Sequence, residues 1–201
     1  MLSIYNLKPK FQQLLNPVLV FLHSKGITAN QITICAIVLS FIIGLLFWNA
    51  DRSKLLFLAL PIGLFVRMAL NALDGMMART YHQQTKLGDV LNELGDVVSD
   101  LFIFFPLLKY EQTNLYLVAV FLTLATINEF AGILGKIIAD ERRYEGPMGK
   151  SDRAFAVGLY GLLSFLSINI QPISTYLFVP IIILLIISTL TRISKSLKQN
   201  G

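Results

Sequence analysis

This chain has little charge. Lysine, arginine, aspartate and glutamate make up 14% of its 201 residues, while 55% are hydrophobic. An ordinary soluble domain is about a quarter charged, so that class is excluded. Cysteine is scarcer still. The single Cys35 lies in an apolar run, which rules out an internal disulfide and leaves the redox compartment open. Met1 to Asn16 lack an apolar h-region and carry Lys8-Pro9-Lys10, so no cleavable signal is expected there. No tandem repeat or low-complexity tract is evident.

Long apolar runs are what the chain has in abundance, and runs of about 20 residues read as bilayer-spanning helices. The mean hydropathy is +0.66. We expect an all-α membrane protein: one domain over residues 1–201, with an interfacial segment at 1–28 and a six-helix bundle at 29–201. The spans fall near 30–49, 55–79, 87–108, 114–138, 154–169 and 173–191. The fifth is short and Gly-rich and ends at Asn169-Ile170-Gln171-Pro172. Ahead of span one, Leu2, Leu7, Phe11, Leu14 and Leu15 recur at helical spacing, with Lys8 and Lys10 between them. Such a helix lies along the membrane interface or packs as an ordinary terminal helix on the bundle.

The pI near 9.4 would suit a nucleic-acid partner, but the basic residues lie between apolar runs. Anionic lipid headgroups or phosphates are the better match, and no nucleic acid is expected. Positive-inside counting orients the bundle. The N-terminus, the second and fourth loops and the C-terminus carry Lys8, Lys10, Lys25, Lys86, Lys136, Arg142, Arg143, Lys150, Arg153, Arg192, Lys195 and Lys198. The other face has Arg52, Lys54 and Lys109. Both termini are therefore expected in the cytoplasm, as in a multi-pass protein of a bacterial-type inner membrane.

Carboxylates inside membrane spans are functional candidates, since each costs several kcal/mol unless paired, hydrated or metal-bound. They concentrate between Asn71 and Asp96. At about 100° per residue, Asn71, Asp74, Gly75, Ala78 and Arg79 share one face of span two. Asp89, Asn92, Glu93, Asp96 and Asp100 share an arc of span three. The two helices run in opposite directions through a short loop, so Asp74 comes to the depth of Asn92 or Asp96. Converging oxygen ligands suit Mg²⁺ or Mn²⁺. Gly75 and Gly88 would let a nucleotide or phosphate approach the backbone, and Arg79 supplies a bidentate phosphate clamp. A polar stripe that only joins helices, or lines an ion pathway, is the plainer alternative.

The spacing D-x2-D-G-x2-A-R-x8-G-x3-D-x3-D is the signature of the CDP-alcohol phosphotransferases, and this chain resembles it. Asp74, Gly75, Ala78, Arg79, Gly88 and Asp96 match in register. The resemblance extends to six spans, an amphipathic N-terminal helix, the Ala29-Asn30-x2-Thr33 start of span one and a basic loop before span five. It implies four acidic positions holding two divalent ions, the last aspartate as base, nucleotide contacts at the motif glycines and Thr33, and a homodimer. It also implies an alcohol acceptor attacking a CDP-linked donor, with release of CMP. This chain departs at two positions, Asn71 and Asn92, so the four motif ligands carry −2 rather than −4. Asp89 and Glu93, on the same arc, would restore charge. One or two Mg²⁺ or Mn²⁺ ions are expected.

The reading is therefore a phospholipid-biosynthetic transferase. Asn71, Asp74, Asn92 and Asp96 hold metal, Asp96 accepts the hydroxyl proton, and CDP-diacylglycerol or another CDP-alcohol is the donor. A non-catalytic family member binding nucleotide or lipid is a second reading, and a transporter with an intramembrane polar site a third. Lys150 and Arg153, in the turn Gly146-Pro147-Met148-Gly149 and the helix start after it, would contact an acidic headgroup or act as interface anchors. Ser151 or Asp152 is the expected N-cap. Arg142 and Arg143 read as anchors, His23 and His82 as solvated. Depth matching at 1.5 Å per residue puts Arg67 and Asp100 both about 20 Å below the cytoplasmic surface. We expect them to pair, with Glu129 as the alternative partner for Arg67.

Overall fold

A computed structural model of the chain describes residues 7–168, 170 and 172–198. Leu2 and the Asn169 and Gln171 of span five lie outside the described residues. Among those described there is no strand. The helices are α1 (Leu7–Ser24), α2 (Ala29–Trp48), α3 (Ala59–Thr80), α4 (Lys86–Phe104), α5 (Leu107–Tyr110), α6 (Leu115–Ala139), α7 (Lys150–Phe165) and α8 (Ser174–Lys198). Short 3₁₀ turns at Lys54–Leu58 and Gln112–Asn114 lead into α3 and α6.

Helix starts follow local chemistry. At α2, Thr28 Oγ1 accepts from the Gln31 N–H, and Gln31 Oε1 accepts from the Thr28 N–H at 2.9 Å, a reciprocal capping box. At α4, Thr85 Oγ1 accepts from the Gly88 N–H at 2.9 Å. Several expected boundaries shift: α8 runs on to Lys198 rather than ending near 191, and α7 stops at Phe165 rather than near 169. α4 ends at Phe104 rather than near 108, because Pro106 has no N–H to continue the ladder. α7 begins at Lys150 rather than near 154, and its N-cap is Gly149. Asp152 is the third residue of α7, and its carboxylate accepts the Gly149 N–H at 3.0 Å.

Among the described residues four stretches are long and apolar enough to cross a membrane: Ala29–Trp48, Lys54–Thr80, Gln112–Ala139 and Ser174–Lys198. α4 differs because it carries Asp89, Glu93, Asp96 and Asp100, and α7 because it has only 16 residues. The outer surface is apolar, with Phe41, Leu45, Phe65, Ile183 and Leu190 exposed. Arg67, Arg153 and Glu129 are buried. That inversion of the soluble pattern is what a lipid surround favours.

The main core lies where α2, α3, α4, α6, α7 and α8 meet, around Phe47, Leu60, Phe104, Phe121, Tyr160 and Leu185. A smaller cluster of Leu19, Ala29, Ile32, Leu73 and Met77 joins α1 to α2 and α3. α1 thus turns Leu15 and Leu19 inward and leaves Leu14, Val20 and Phe21 exposed. His23 is not merely solvated. Its ring stacks on Tyr81, with centroids 3.4 Å apart, tying α1 to the end of α3. Gly44 lets α2 and α4 touch backbone to backbone, since any Cβ there would collide with the Phe102 carbonyl oxygen.

Candidate active site

The α3–α4 hairpin brings the motif residues together. A cavity of about 280 Å³ is lined from α2 by Ala29, Asn30 and Thr33, and from α3 by Asn71, Asp74, Gly75, Ala78 and Arg79. The following loop and α4 contribute Gln83, Gln84, Thr85, Gly88, Asp89 and Asn92. Offsets of 0, 3, 4, 7 and 8 put the α3 residues on one face. The α2–α4 contact closes the opposite wall. At Gly88 a Cβ would come within 2.8 Å of Asn30 Oδ1, so a side chain there would push the Asn30 amide aside. Gln83 Oε1 accepts the Ala29 N–H at 2.8 Å and pins the loop against the start of α2. Gln83, Gln84 and Thr85 are site residues that periodicity does not find, because they lie in a loop and carry no charge.

Asp74 is buried at the cavity wall, and its Oδ2 lies 2.9 Å from Thr33 Oγ1. The Thr33 hydroxyl also lies 3.1 Å from its own helix's Ala29 carbonyl. With one proton to give, it favours the charged acceptor. Arg79 is exposed at the cavity edge, with its guanidinium over Gly75.

Asp96, one turn deeper on α4 than Asn92, is not part of the cavity wall. Its Oδ1 makes a short contact with Lys150 Nζ and lies 4.0 Å from Arg67 Nη2. Lys150, expected at a headgroup or as an anchor, instead reaches from the first turn of α7 onto the expected base. Arg153 is fully buried, so neither expected role describes it: its Nη2 bonds Asp100 at 2.9 Å and Glu129 at 2.7 Å. Arg142 is likewise no simple anchor. It lies 2.6 Å from Glu93 and 2.9 Å from Glu129. Arg143 donates to Glu141 and Glu145.

The expected Arg67–Asp100 pair is present at 2.7 Å, and Asp100, rather than Glu129, is the partner. It belongs to a chain of ion pairs running Arg67, Asp100, Arg153, Glu129, Arg142, Glu93, buried as far as Glu129 and half-buried at Arg142 and Glu93. Periodicity placed most of these residues singly. Their connection needed α6 and α7 to be brought against α4. Glu93 is turned to Arg142, while Asp89 lines the cavity and lies 3.3 Å from Lys136. Among the described residues no three His, Cys, Asp or Glu side chains gather into a metal-binding group. Of the four motif oxygen donors, Asn71, Asp74 and Asn92 line the cavity, and the two asparagines are amides.

An all-helical membrane bundle with a polar cavity on a two-helix hairpin is the class this architecture defines. The sequence model of the CDP-alcohol phosphatidyltransferase family matches residues 26–197, and the chain belongs to that family. It is 49% identical over 161 residues to the inner membrane protein YnbA of Escherichia coli K12, covering 80% of each chain. Its fold is similar to that of Mycobacterium tuberculosis phosphatidylinositol phosphate synthase PgsA1. With CDP-DAG bound, that structure superposes with a TM-score of 0.76 at 19% identity, covering 92% of this chain and 94% of the other. The same enzyme with manganese and citrate gives 0.74 at 19% identity, covering 90% and 87%.

Proposed function

We propose that the chain transfers a phosphatidyl group from CDP-diacylglycerol to an alcohol, releasing CMP, with one or two divalent ions bound. The observation that carries this reading is the convergence of Thr33, Asn71, Asp74, Gly75, Arg79, Gly88 and Asn92 from three helices on one cavity. Asp96 lies one turn further along the same α4. The YnbA relative and the CDP-DAG-bound neighbour support the same donor and an inner-membrane location.

The donors present fit a hard cation. Asn71, Asp74, Asn92 and Asp96 offer only oxygen, the ligand type Mg²⁺ and Mn²⁺ take. Both cationic neighbours of Asp96 sit on Oδ1, which leaves Oδ2 turned away from them. When bound, the ion neutralises negative charge on the donor's pyrophosphate. Arg79 binds the phosphate as a planar fork, and Thr33 holds Asp74 in place. The acceptor hydroxyl forms a new P–O bond to the phosphatidyl phosphorus as the bond to CMP breaks, and its proton goes to Asp96. Lys150 fixes that carboxylate in position.

In this reading α4 and α7 also cross the membrane, making six spans. Both termini and the cavity face the cytoplasm, where nucleotides are found, and the protein pairs as a homodimer. The test is CMP release from labelled CDP-diacylglycerol by purified protein, with and without Mg²⁺ or Mn²⁺. No release with any alcohol would sink the proposal. A silent, ligand-binding relative is the second reading, favoured by Asn71, Asn92 and the Lys150 contact on Asp96. It predicts donor binding without CMP.

A further inference from the structure

Given phosphatidyl transfer, on which this inference rests, the cations around Asp96 and along the ion-pair chain beside it bear on the second substrate. In an in-line displacement the acceptor hydroxyl arrives opposite the leaving group and within reach of the base. It therefore meets Asp96 and whatever charge surrounds it. Arg67 and Arg153 expose 3% and 0% of their side chains, and both hold Asp100. Arg192, at 3%, donates to the carbonyl oxygens of Asn128 and Glu145. Arg142 sits between Glu93 and Glu129. Lys150, 27% exposed, is on Asp96 itself, and Lys136, 49% exposed, holds Asp89 at 3.3 Å.

Each of these cations is either sealed from a ligand or already holding a carboxylate. A phosphomonoester brings a charge of about −1.5 to −2, which asks for several accessible donors. Recruiting a guanidinium from this network would strand a buried carboxylate, and the incoming dianion would face Glu93 and Asp96. Arg79 is accessible, but it lies on the cavity wall assigned to the donor. We infer that the acceptor is an alcohol without a phosphate, of zero net charge at neutral pH.

The test uses the full-length protein in detergent with cytidine-labelled CDP-diacylglycerol and matched acceptors: glycerol against sn-glycerol 3-phosphate, myo-inositol against inositol 1-phosphate, serine against phosphoserine. In any pair that reacts, CMP release with the neutral member should exceed that with the phosphorylated one by about tenfold or more. A phosphorylated member that equals or beats its counterpart overturns the inference. Glu93→Gln, which takes one of two carboxylates from Arg142, should narrow the gap. An unchanged gap in folded variant protein overturns its attribution to paired cations. Absence of CMP in every pair counts against phosphatidyl transfer instead. The charge argument is then read by calorimetric titration with sn-glycerol 3-phosphate and with inorganic phosphate. Saturable binding of either below millimolar concentration overturns it, and no binding supports it.

Discussion

The cavity and the ion-pair chain beside it use similar residues to opposite ends. In the cavity, Asn71, Asn92 and Arg79 face a space large enough for part of a ligand. A few ångströms away, Arg67, Asp100, Arg153 and Glu129 face one another at 2.7 to 2.9 Å and are closed off. Both regions sit in a bundle where a lone charge is costly. The difference is saturation. A charge whose partner is another side chain holds helices together, and one whose partner must come from outside forms a site. Asp96 stands at the border, on α4 with the cavity but held by Lys150 of α7.

The largest effects should come from that border. Asp74→Asn and Asp96→Asn are each expected to lower CMP release by about 100-fold or more while leaving a folded protein, because each removes one of two motif carboxylates. If Asp96→Asn instead lowered the unfolding temperature while CMP release stayed intact, Asp96 would belong to the network alone. Next, Arg153→Met should destabilise by about 3–5 kcal/mol, since it strands Asp100 and Glu129 partly unpaired. Thermal unfolding in detergent measures this. Replacing Arg67 and Asp100 together should cost less than replacing Arg67 alone, because a lone buried charge is worse than none. Equal costs would mean the pair is not coupled.

A third change sharpens the comparison from the cavity side. Asn71→Asp with Asn92→Asp adds two negative charges facing the open space and should tighten Mn²⁺ binding by about tenfold or more, read by paramagnetic resonance. Unchanged affinity would mean that these positions do not ligate. Loss of the α2 cap in Thr28→Ala should cost about 1 kcal/mol and loosen the wall that Gln83 pins.

The smallest effect concerns the α6–α7 loop. Burial alone would raise the Glu145 carboxyl, but backbone N–H groups at 145 and 144 and the Lys195 ammonium together hold it below the usual glutamate range. A depressed carboxylate adds stability above its unfolded value of about 4.3. That contribution is lost as pH falls through the lower folded value. Proteolysis of the loop should therefore quicken modestly as pH falls below about 4.3, and Glu145→Gln should remove that dependence.

The sequence by itself determined the membrane class, the helix order and the α3–α4 carboxylate hairpin. Those follow from the length of apolar runs and a 3.6-residue period, which are local quantities. Depth along two antiparallel helices is also local arithmetic once the loop is short, so the Arg67–Asp100 pair could be anticipated. Tertiary structure alone decided the partners of Lys150, Arg142 and Arg153, because these residues lie well beyond α4 in the chain and no period links them to it. It also decided the boundaries of α4 and α7, where one missing N–H and one carboxylate in the first helical turn outweighed hydropathy. Which charges remain open to a ligand is likewise a tertiary property. It depends on what each side chain meets across the bundle, and spacing along one chain does not record that.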